Sequence, residues 1–216
     1  MISKNINKRI ITSLMLFFLI FLISKYNLIL AYSLIVLGTL SILEFLDLTK
    51  KIIKSKFQFF ISNFFFIFYI FIFCFMFFFF SNFFQLKLIL FIILLGCIAS
   101  DIGGFIVGKT IKGPKLSKIS PNKTISGAFG SLILTALVMT CLVFFLTKNF
   151  NYIIIILALI ISIACQIGDL FFSFLKRKAK IKDTGHFLPG HGGILDRLDG
   201  ILLGIPTGFI SLTIFY

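Results

Sequence analysis

Residues 57–84 read FQFFISNFFFIFYIFIFCFMFFFFSNFF, an apolar run that contains no charged side chain. A helix needs about 20 largely apolar residues to cross the hydrocarbon core of a bilayer, and this run exceeds that length. The run is nearly a polymer of Phe and Ile, which favours a lipid-facing helix over a recognition surface. We therefore predict a membrane-spanning helix over residues 59–80.

The whole chain has the composition of a membrane protein. Of its 216 residues, 59% are hydrophobic and 13% are charged, and the mean hydropathy is +1.13. Soluble domains are typically about 45–50% apolar and about 25% charged, which excludes that class here. We predict an all-α, polytopic bundle of about seven transmembrane helices that forms a single membrane domain, 1–216. The predicted spans are 10–23, 28–46, 59–80, 88–107, 126–146, 152–172 and 200–216.

The net charge of +14 is consistent in principle with nucleic-acid binding, but its distribution indicates membrane topology instead. The basic residues lie in short clusters between the apolar runs. If the N-terminus is cytoplasmic, 18 of the 21 Lys and Arg residues fall on that side, which leaves Lys25, Lys87 and Lys148 on the other. Cytoplasmic loops carry such an excess of basic residues. We predict a cytoplasmic N-terminus, an outer C-terminus and no nucleic-acid partner.

Only seven acidic residues occur, so their positions are informative. Glu44 and Asp47 flank the second predicted helix and are expected to be interface residues. An ionised side chain at membrane depth costs about 2.5–3.5 kcal/mol on insertion scales and usually marks a functional site. The alternative for Asp101 and Asp169 is that their helices end earlier and leave the carboxylates in water. The remaining five acids are expected at or beside the cytoplasmic helix ends: Asp101, Asp169, Asp183, Asp196 and Asp199.

Two helical patterns indicate a site for phosphate groups. Ser173, Lys176 and Arg177 follow Asp169 at spacings of four, seven and eight, so all four side chains share one helix face. Asp196 and Asp199 stand three residues apart just before the last predicted helix. The N-terminus of that helix would favour carboxylates and phosphate oxygens.

Residues 173–199 read SFLKRKAKIKDTGHFLPGHGGILDRLD. This segment resembles the signature of phosphatidate cytidylyltransferases, S-x-x-K-R-x4-K-D-x-G-x2-L-P-x-H-G-G-x2-D-R-x-D, and matches every fixed position. Residues 101–109, DIGGFIVGK, resemble a family segment that begins with Asp, contains spaced glycines and ends in Gly-[RK]. Residues 120–127, SPNKTISG, resemble its S-P-x-K-T-x-x-G loop. Ser126 stands where the family often has an acid, so no acidic role is expected there. The resemblance covers 101–216, the expected catalytic half, while 1–100 supplies N-terminal helices.

The resemblance implies that the phosphate of phosphatidic acid attacks the α-phosphorus of CTP, giving CDP-diacylglycerol and pyrophosphate. It implies Mg²⁺ held by Asp169 and Asp196, and oxygen ligands suit that hard ion. The expected catalytic residues are Asp169, Asp196, Asp199 and Lys182. The expected substrate-binding residues are Asp101, Ser120, Lys123, Thr124, Lys176, Arg177, Asp183, His191 and Arg197. A homodimer in the cell (inner) membrane, with its active site toward the cytoplasm, is also implied.

Two rival classes stay open on the residues alone. A cation- or proton-coupled transporter would also combine several spans with intramembrane aspartates. Clustering of the acids with Lys, Arg and Gly-rich loops favours a phosphate site instead. Another CTP-using lipid enzyme, of the polyprenol kinase type, would share part of the motif, and the complete signature favours the phosphatidate enzyme.

Overall fold

The computed structural model describes residues 22–23, 25–117, 119–120, 123–185 and 192–215. All six long helices in this part of the chain are long and apolar enough to cross a membrane. The predicted all-α, polytopic architecture is therefore confirmed. The predicted helix 10–23 lies outside the described residues, except for its last two. The helices are α1 Asn27–Ile52, α2 Lys56–Ser81, α3 Phe84–Thr110, α4 Ile125–Thr147, α5 Ile153–Lys178 and α6 Leu195–Phe215.

Several helices extend beyond the apolar runs that predicted them. Helix α5 continues to Lys178 rather than ending at 172, and three basic residues occupy its last turn, where cations are favourable. Helix α6 begins at Leu195 rather than at 200, so Asp196 lies in its first turn instead of before it. Hydropathy marks the apolar part of a helix, whereas backbone hydrogen bonding continues into polar sequence.

The chain divides into two compact units. The first consists of the residues up to Phe84 together with Leu175–Arg197, and the second consists of Gln85–Phe174 together with Leu198–Tyr216. Helix α5 contributes its last residues, and helix α6 its first residues, to the first unit. The single membrane domain over 1–216 stays a prediction.

In the first unit, α1 packs on α2 through an aromatic stack and a buried polar contact. The rings of Phe45 and Phe66 are stacked, with centroids 3.7 Å apart and an interplanar angle of 13°. The Thr49 hydroxyl lies 3.0 Å from Oδ1 of Asn63, and both residues are buried. Such a contact satisfies polar groups that would otherwise meet hydrocarbon. Many Phe side chains of α2 point away from this contact and are exposed, as expected of a lipid-facing helix.

In the second unit, small residues and hydroxyls hold α3, α4 and α5 together. The Ser131 hydroxyl donates to the Ser100 carbonyl at 2.7 Å, and the hydroxyls of Ser100 and Ser162 lie 3.0 Å apart. A Cβ atom on Gly103 would come within 2.5 Å of the Gly130 carbonyl oxygen, so α3 and α4 approach closely. Membrane helices commonly associate through small residues and interhelical hydroxyl hydrogen bonds of this kind.

Candidate active site

In the first unit, Lys176 and Asp196 form an ion pair that is largely shielded from solvent. Lys176 Nζ lies 2.6 Å from Asp196 Oδ1, and the two side chains are 13% and 8% exposed. The other carboxylate oxygen, Oδ2, accepts the backbone N–H groups of Thr184 at 2.8 Å and Gly193 at 3.0 Å. Helix ends position both members, since Lys176 lies in the last turn of α5 and Asp196 in the first turn of α6. The two predicted site residues are therefore brought together.

A second carboxylate of the same unit, that of Glu44 on α1, also binds the start of α6. Its Oε1 accepts the N–H of Ile194 at 2.9 Å, and its Oε2 accepts the N–H of Leu195 at 2.8 Å. Oε2 also accepts the Thr184 hydroxyl at 2.7 Å. Glu44 is only 2% exposed, so its carboxylate is enclosed by protein, and the expectation of a position at the membrane interface stays a prediction. The side chain is buried because three donors satisfy its oxygens, which offsets the cost of removing a carboxylate from water.

Three consecutive amides, those of Gly193, Ile194 and Leu195, are thus divided between two carboxylates. The first N–H groups of a helix have no partner within the helix, and negative charge is favourable there. Of the two kinds of group expected at this helix N-terminus, carboxylates and phosphate oxygens, the protein's own carboxylates bind these three amides. A Cβ atom on Gly193 would come within 2.5 Å of Glu44 Oε2, which explains why glycine is needed at this position.

In the second unit, Asp169 of α5 forms an ion pair with Lys123. The pair joins Lys123 Nζ to Asp169 Oδ2, and the two side chains are 26% and 30% exposed. The Ser173 hydroxyl lies 3.4 Å from Asp169 Oδ1, one turn further along the helix. This places the predicted Asp169 and Ser173 side by side. It also joins Asp169 to the segment that resembles the S-P-x-K-T loop.

The residues around Lys123 build a turn and a helix cap. The Lys123 N–H donates to the Ser120 carbonyl at 3.1 Å, and Thr124 is the N-cap of α4, where its hydroxyl accepts the Gly127 N–H at 3.1 Å. A Cβ atom on Gly108 would lie 3.0 Å from the Thr124 hydroxyl. The motif glycine at this position therefore allows close packing of α3 on the start of α4. The substrate contacts predicted for Ser120 and Thr124 stay predictions.

The other predicted residues are less enclosed, with one exception. Asp199 is 8% exposed, and its Oδ1 accepts the N–H of Gly200 at 3.0 Å. His191 lies outside the described residues. Asp101 is exposed but lies within α3, nine residues before that helix ends. The remaining predicted residues lie exposed at helix ends or in the connection after α5, namely Arg177, Lys182, Asp183 and Arg197.

The donor groups fit magnesium at Asp169 better than at Asp196. Asp169 offers a partly exposed carboxylate beside a hydroxyl, which are hard oxygen ligands of the kind Mg²⁺ prefers. Both oxygens of Asp196 already accept hydrogen bonds. Among the residues that the structure describes, no group of three Asp, Glu, His or Cys side chains could hold a metal ion. A magnesium ion here would therefore complete its coordination with phosphate oxygens and water.

Glu44 and Thr184 are the site residues that sequence reasoning missed. A signal was available for Glu44, because it is the only glutamate and lies within the apolar run 28–46. The depth argument applied to Asp101 and Asp169 also applies to Glu44. Thr184 stands at a variable position of the signature, and nothing in the sequence distinguishes it.

Comparison with known proteins gives a consistent result. A model of the cytidylyltransferase family matches residues 2–215. A phosphatidate cytidylyltransferase of Mycobacterium leprae (strain TN) is 39% identical over 127 residues, covering 57% of this chain and 40% of the relative. One of Rickettsia felis is 43% identical over 128 residues, covering 55% and 56%. One of Bacillus subtilis (strain 168) is 39% identical over 119 residues, covering 54% and 44%. The matched stretch spans about half of the length of these curated relatives.

Proposed function

The chain belongs to the cytidylyltransferase family, and we propose that it is a CTP:phosphatidate cytidylyltransferase. It would convert CTP and phosphatidic acid into CDP-diacylglycerol and pyrophosphate for phospholipid synthesis. The observation that carries the proposal is the family match over residues 2–215, which includes the whole signature segment 173–199. The names of the relatives favour this substrate pair over the polyprenol kinase alternative.

The arrangement of charged groups supports transfer between two anions. In the reaction, an oxygen of the lipid phosphate forms a bond to the α-phosphorus of CTP, and the bond from that phosphorus to the β-phosphate oxygen breaks. Pyrophosphate leaves with the electron pair. The attacking phosphate is already ionised near neutral pH, so no strong base is required. The chemical difficulty is electrostatic repulsion, which positioned cations reduce.

We propose specific side chains that reduce this repulsion between the two substrates. Lys123 is partly exposed beside Asp169, so its ammonium is available to bind a phosphate oxygen. Exposed Arg177 and Lys182 would bind further phosphate oxygens through charge-assisted hydrogen bonds. Lys176 is less accessible, and its proposed role is to orient Asp196. Asp199, whose carboxylate accepts the N–H of the next residue, Gly200, is proposed as a further catalytic residue.

Magnesium is proposed as the cofactor. Bound at Asp169, it would reduce the negative charge that develops on the transferred and leaving phosphates. Asp169 would hold the ion and Ser173 would orient the carboxylate, a role supported by their 3.4 Å contact. The metal-binding role that the resemblance implies for Asp196 is a separate proposal, which the Asp196→Asn variant tests.

The protein is a multi-pass membrane protein with six described spans, and we propose that it lies in the cell (inner) membrane. The bias of basic residues supports a site that faces the cytoplasm, where CTP is present. Under this proposal the basic residues set orientation and bind phosphates, without a nucleic-acid partner. The homodimer implied by the resemblance is also a proposal, and the mass of the protein in detergent, from light scattering, tests it.

The decisive experiment follows the phosphorus atoms of CTP. The purified protein is incubated with phosphatidic acid, Mg²⁺ and CTP labelled at either the α- or the γ-phosphate. We expect α-label in the lipid fraction and γ-label in pyrophosphate. Transfer of γ-label to lipid, with polyprenol as acceptor, would indicate a kinase. Absence of both transfers, with cation uptake into vesicles that lack CTP, would indicate a transporter.

A further inference from the structure

The buried Glu44 belongs to none of the segments that resemble the family. It lies on α1, whereas its three partners lie between Thr184 and Leu195. A glutamate within an apolar helix is costly unless its carboxylate is satisfied, and here three donors satisfy it. The contact therefore joins α1 to the part of the signature segment that precedes Asp196.

Thr184 connects the Glu44 and Asp196 carboxylates of the first unit. Its hydroxyl donates to Glu44 Oε2 at 2.7 Å, while its backbone N–H donates to Asp196 Oδ2 at 2.8 Å. The Leu195 N–H, which binds Glu44, directly precedes Asp196 in the chain. Glu44 thus fixes the backbone on both sides of the Asp196 carboxylate without bonding to that carboxylate.

We propose that Glu44 is a positioning residue for the cytidylyl transfer. It holds Thr184 and the first turn of α6 so that Asp196 and its partner Lys176 keep one orientation. This inference rests on the proposed function for its catalytic part, whereas its structural part is independent of the reaction. The proposed action of Glu44 is through Thr184 and α6, and not through contact with a substrate.

Glutamine at position 44 gives a sharp test because it keeps the size of the side chain. It replaces one carboxylate oxygen with an NH₂ group, so the N–H of either Ile194 or Leu195 must face another donor. Asp47 provides the matched control, since it lies on the same helix three positions away and is exposed. Asp47→Asn makes the same change in charge without touching the signature segment.

The expected kinetic result is a fall in kcat with little change in KM. Small misplacements of reacting groups cost up to about a hundredfold in rate. We expect Glu44→Gln to lower kcat by about ten- to a hundredfold and to leave KM for CTP within about threefold. Asp47→Asn should match the wild type in both constants. A folded Glu44→Gln protein with kcat within about twofold of wild type would overturn the inference.

Two Thr184 variants provide a second test in case the Glu44→Gln protein does not fold. Thr184→Val removes the hydroxyl that donates to Glu44, while Thr184→Ser keeps it. We expect Thr184→Val to lower kcat by several-fold and Thr184→Ser to restore it at the same unfolding temperature. Equal kcat values for the Val and Ser variants would show that the hydroxyl bond has no role in positioning.

Hydrogen exchange gives a readout that does not depend on activity. Mass spectrometry of peptides that cover residues 192–198 should show faster amide exchange in Glu44→Gln than in wild type or Asp47→Asn. Unchanged exchange overturns the inference, even if the chain proves to catalyse another reaction. Faster exchange in a protein that makes no CDP-diacylglycerol would overturn the proposed function and the catalytic part, while supporting the holding of α6 by Glu44.

Discussion

Lys176 Nζ lies 2.6 Å from Asp196 Oδ1, and this contact joins the last turn of α5 to the first turn of α6. Both residues occupy fixed positions of the signature segment. Their side chains are 13% and 8% exposed, so solvent screens the pair only weakly. The pair therefore combines two functions: it fixes the connection between two helices, and it sets the direction of the Asp196 carboxylate.

Lys176→Met should destabilise the protein as well as reduce its activity. Removal of one member of a shielded pair leaves an uncompensated charge, which costs about 3 kcal/mol. For a chain of this size that corresponds to a fall of roughly 6–12 °C in Tm. Thermal unfolding in detergent measures the shift. Lys178→Ala is the control, because Lys178 is exposed on the same helix and should leave Tm unchanged. A Tm within about 2 °C of wild type for Lys176→Met would contradict a shielded pair.

Asp169→Asn should nearly abolish CDP-diacylglycerol formation while the protein still inserts and purifies. Asparagine keeps the side-chain volume but removes the charge that holds a hard cation. Asp196→Asn should also lose activity, with an additional loss of stability through Lys176. Initial rates over a Mg²⁺ titration test both variants, with Asp47→Asn as the control. If Asp169→Asn keeps wild-type rates and the same Mg²⁺ dependence, the proposed metal site is wrong.

Lys182→Ala and Arg177→Ala should weaken the apparent affinity for CTP or phosphatidic acid without lowering expression. Both side chains are exposed, so their removal costs little packing, whereas each would lose a charge-assisted phosphate contact. We expect KM to rise by about tenfold for at least one substrate. Lys178→Ala is again the control, since Lys178 stands at a variable position of the signature. Unchanged KM values in both variants would indicate that these two charges serve only to set membrane topology.

Cysteines placed at Lys54, Lys115 and Lys180 should react with an impermeant maleimide only from the cytoplasmic side. The prediction follows from the 18 basic residues that the proposed orientation places there. The native cysteines, at 74, 97, 141 and 165, are first replaced by alanine. Labelling of intact and opened cells gives the comparison. Reaction of any one of the three from outside would reverse or break the proposed topology.

Hydropathy was sufficient to predict the helices but not where they begin. Each described helix covers a predicted run to within one residue at either end, because about 20 apolar residues can cross the bilayer only as a helix or as part of a closed barrel. The start of α6 was placed at 200 because three of the four preceding residues, Asp196, Arg197 and Asp199, are charged. There, carboxylates satisfy the first amides, so helical structure continues into sequence that apolar periodicity does not mark.

The candidate site was predicted in part for a similar reason. The signature identified Lys176 and Asp196, and the structure brings them together. Glu44 was expected at the membrane interface because it lies near the end of the second predicted helix. Its hydrogen-bond partners were not foreseen, because they lie 140 or more positions further along the chain. The spacing of residues in the sequence indicates which side chains are neighbours on one helix. A contact between residues so far apart in the chain depends on tertiary folding.

The separation between Glu44 and Thr184 also has a consequence for biosynthesis. Ribosomes add about 5–20 residues per second, so Thr184 is made roughly 7–28 s after Glu44. During that interval α1 carries a carboxylate whose three eventual donors do not yet exist. The Glu44 carboxylate therefore reaches its buried, hydrogen-bonded arrangement only after the signature segment has been synthesised. The last third of the chain thus completes a contact that the first described helix alone cannot make.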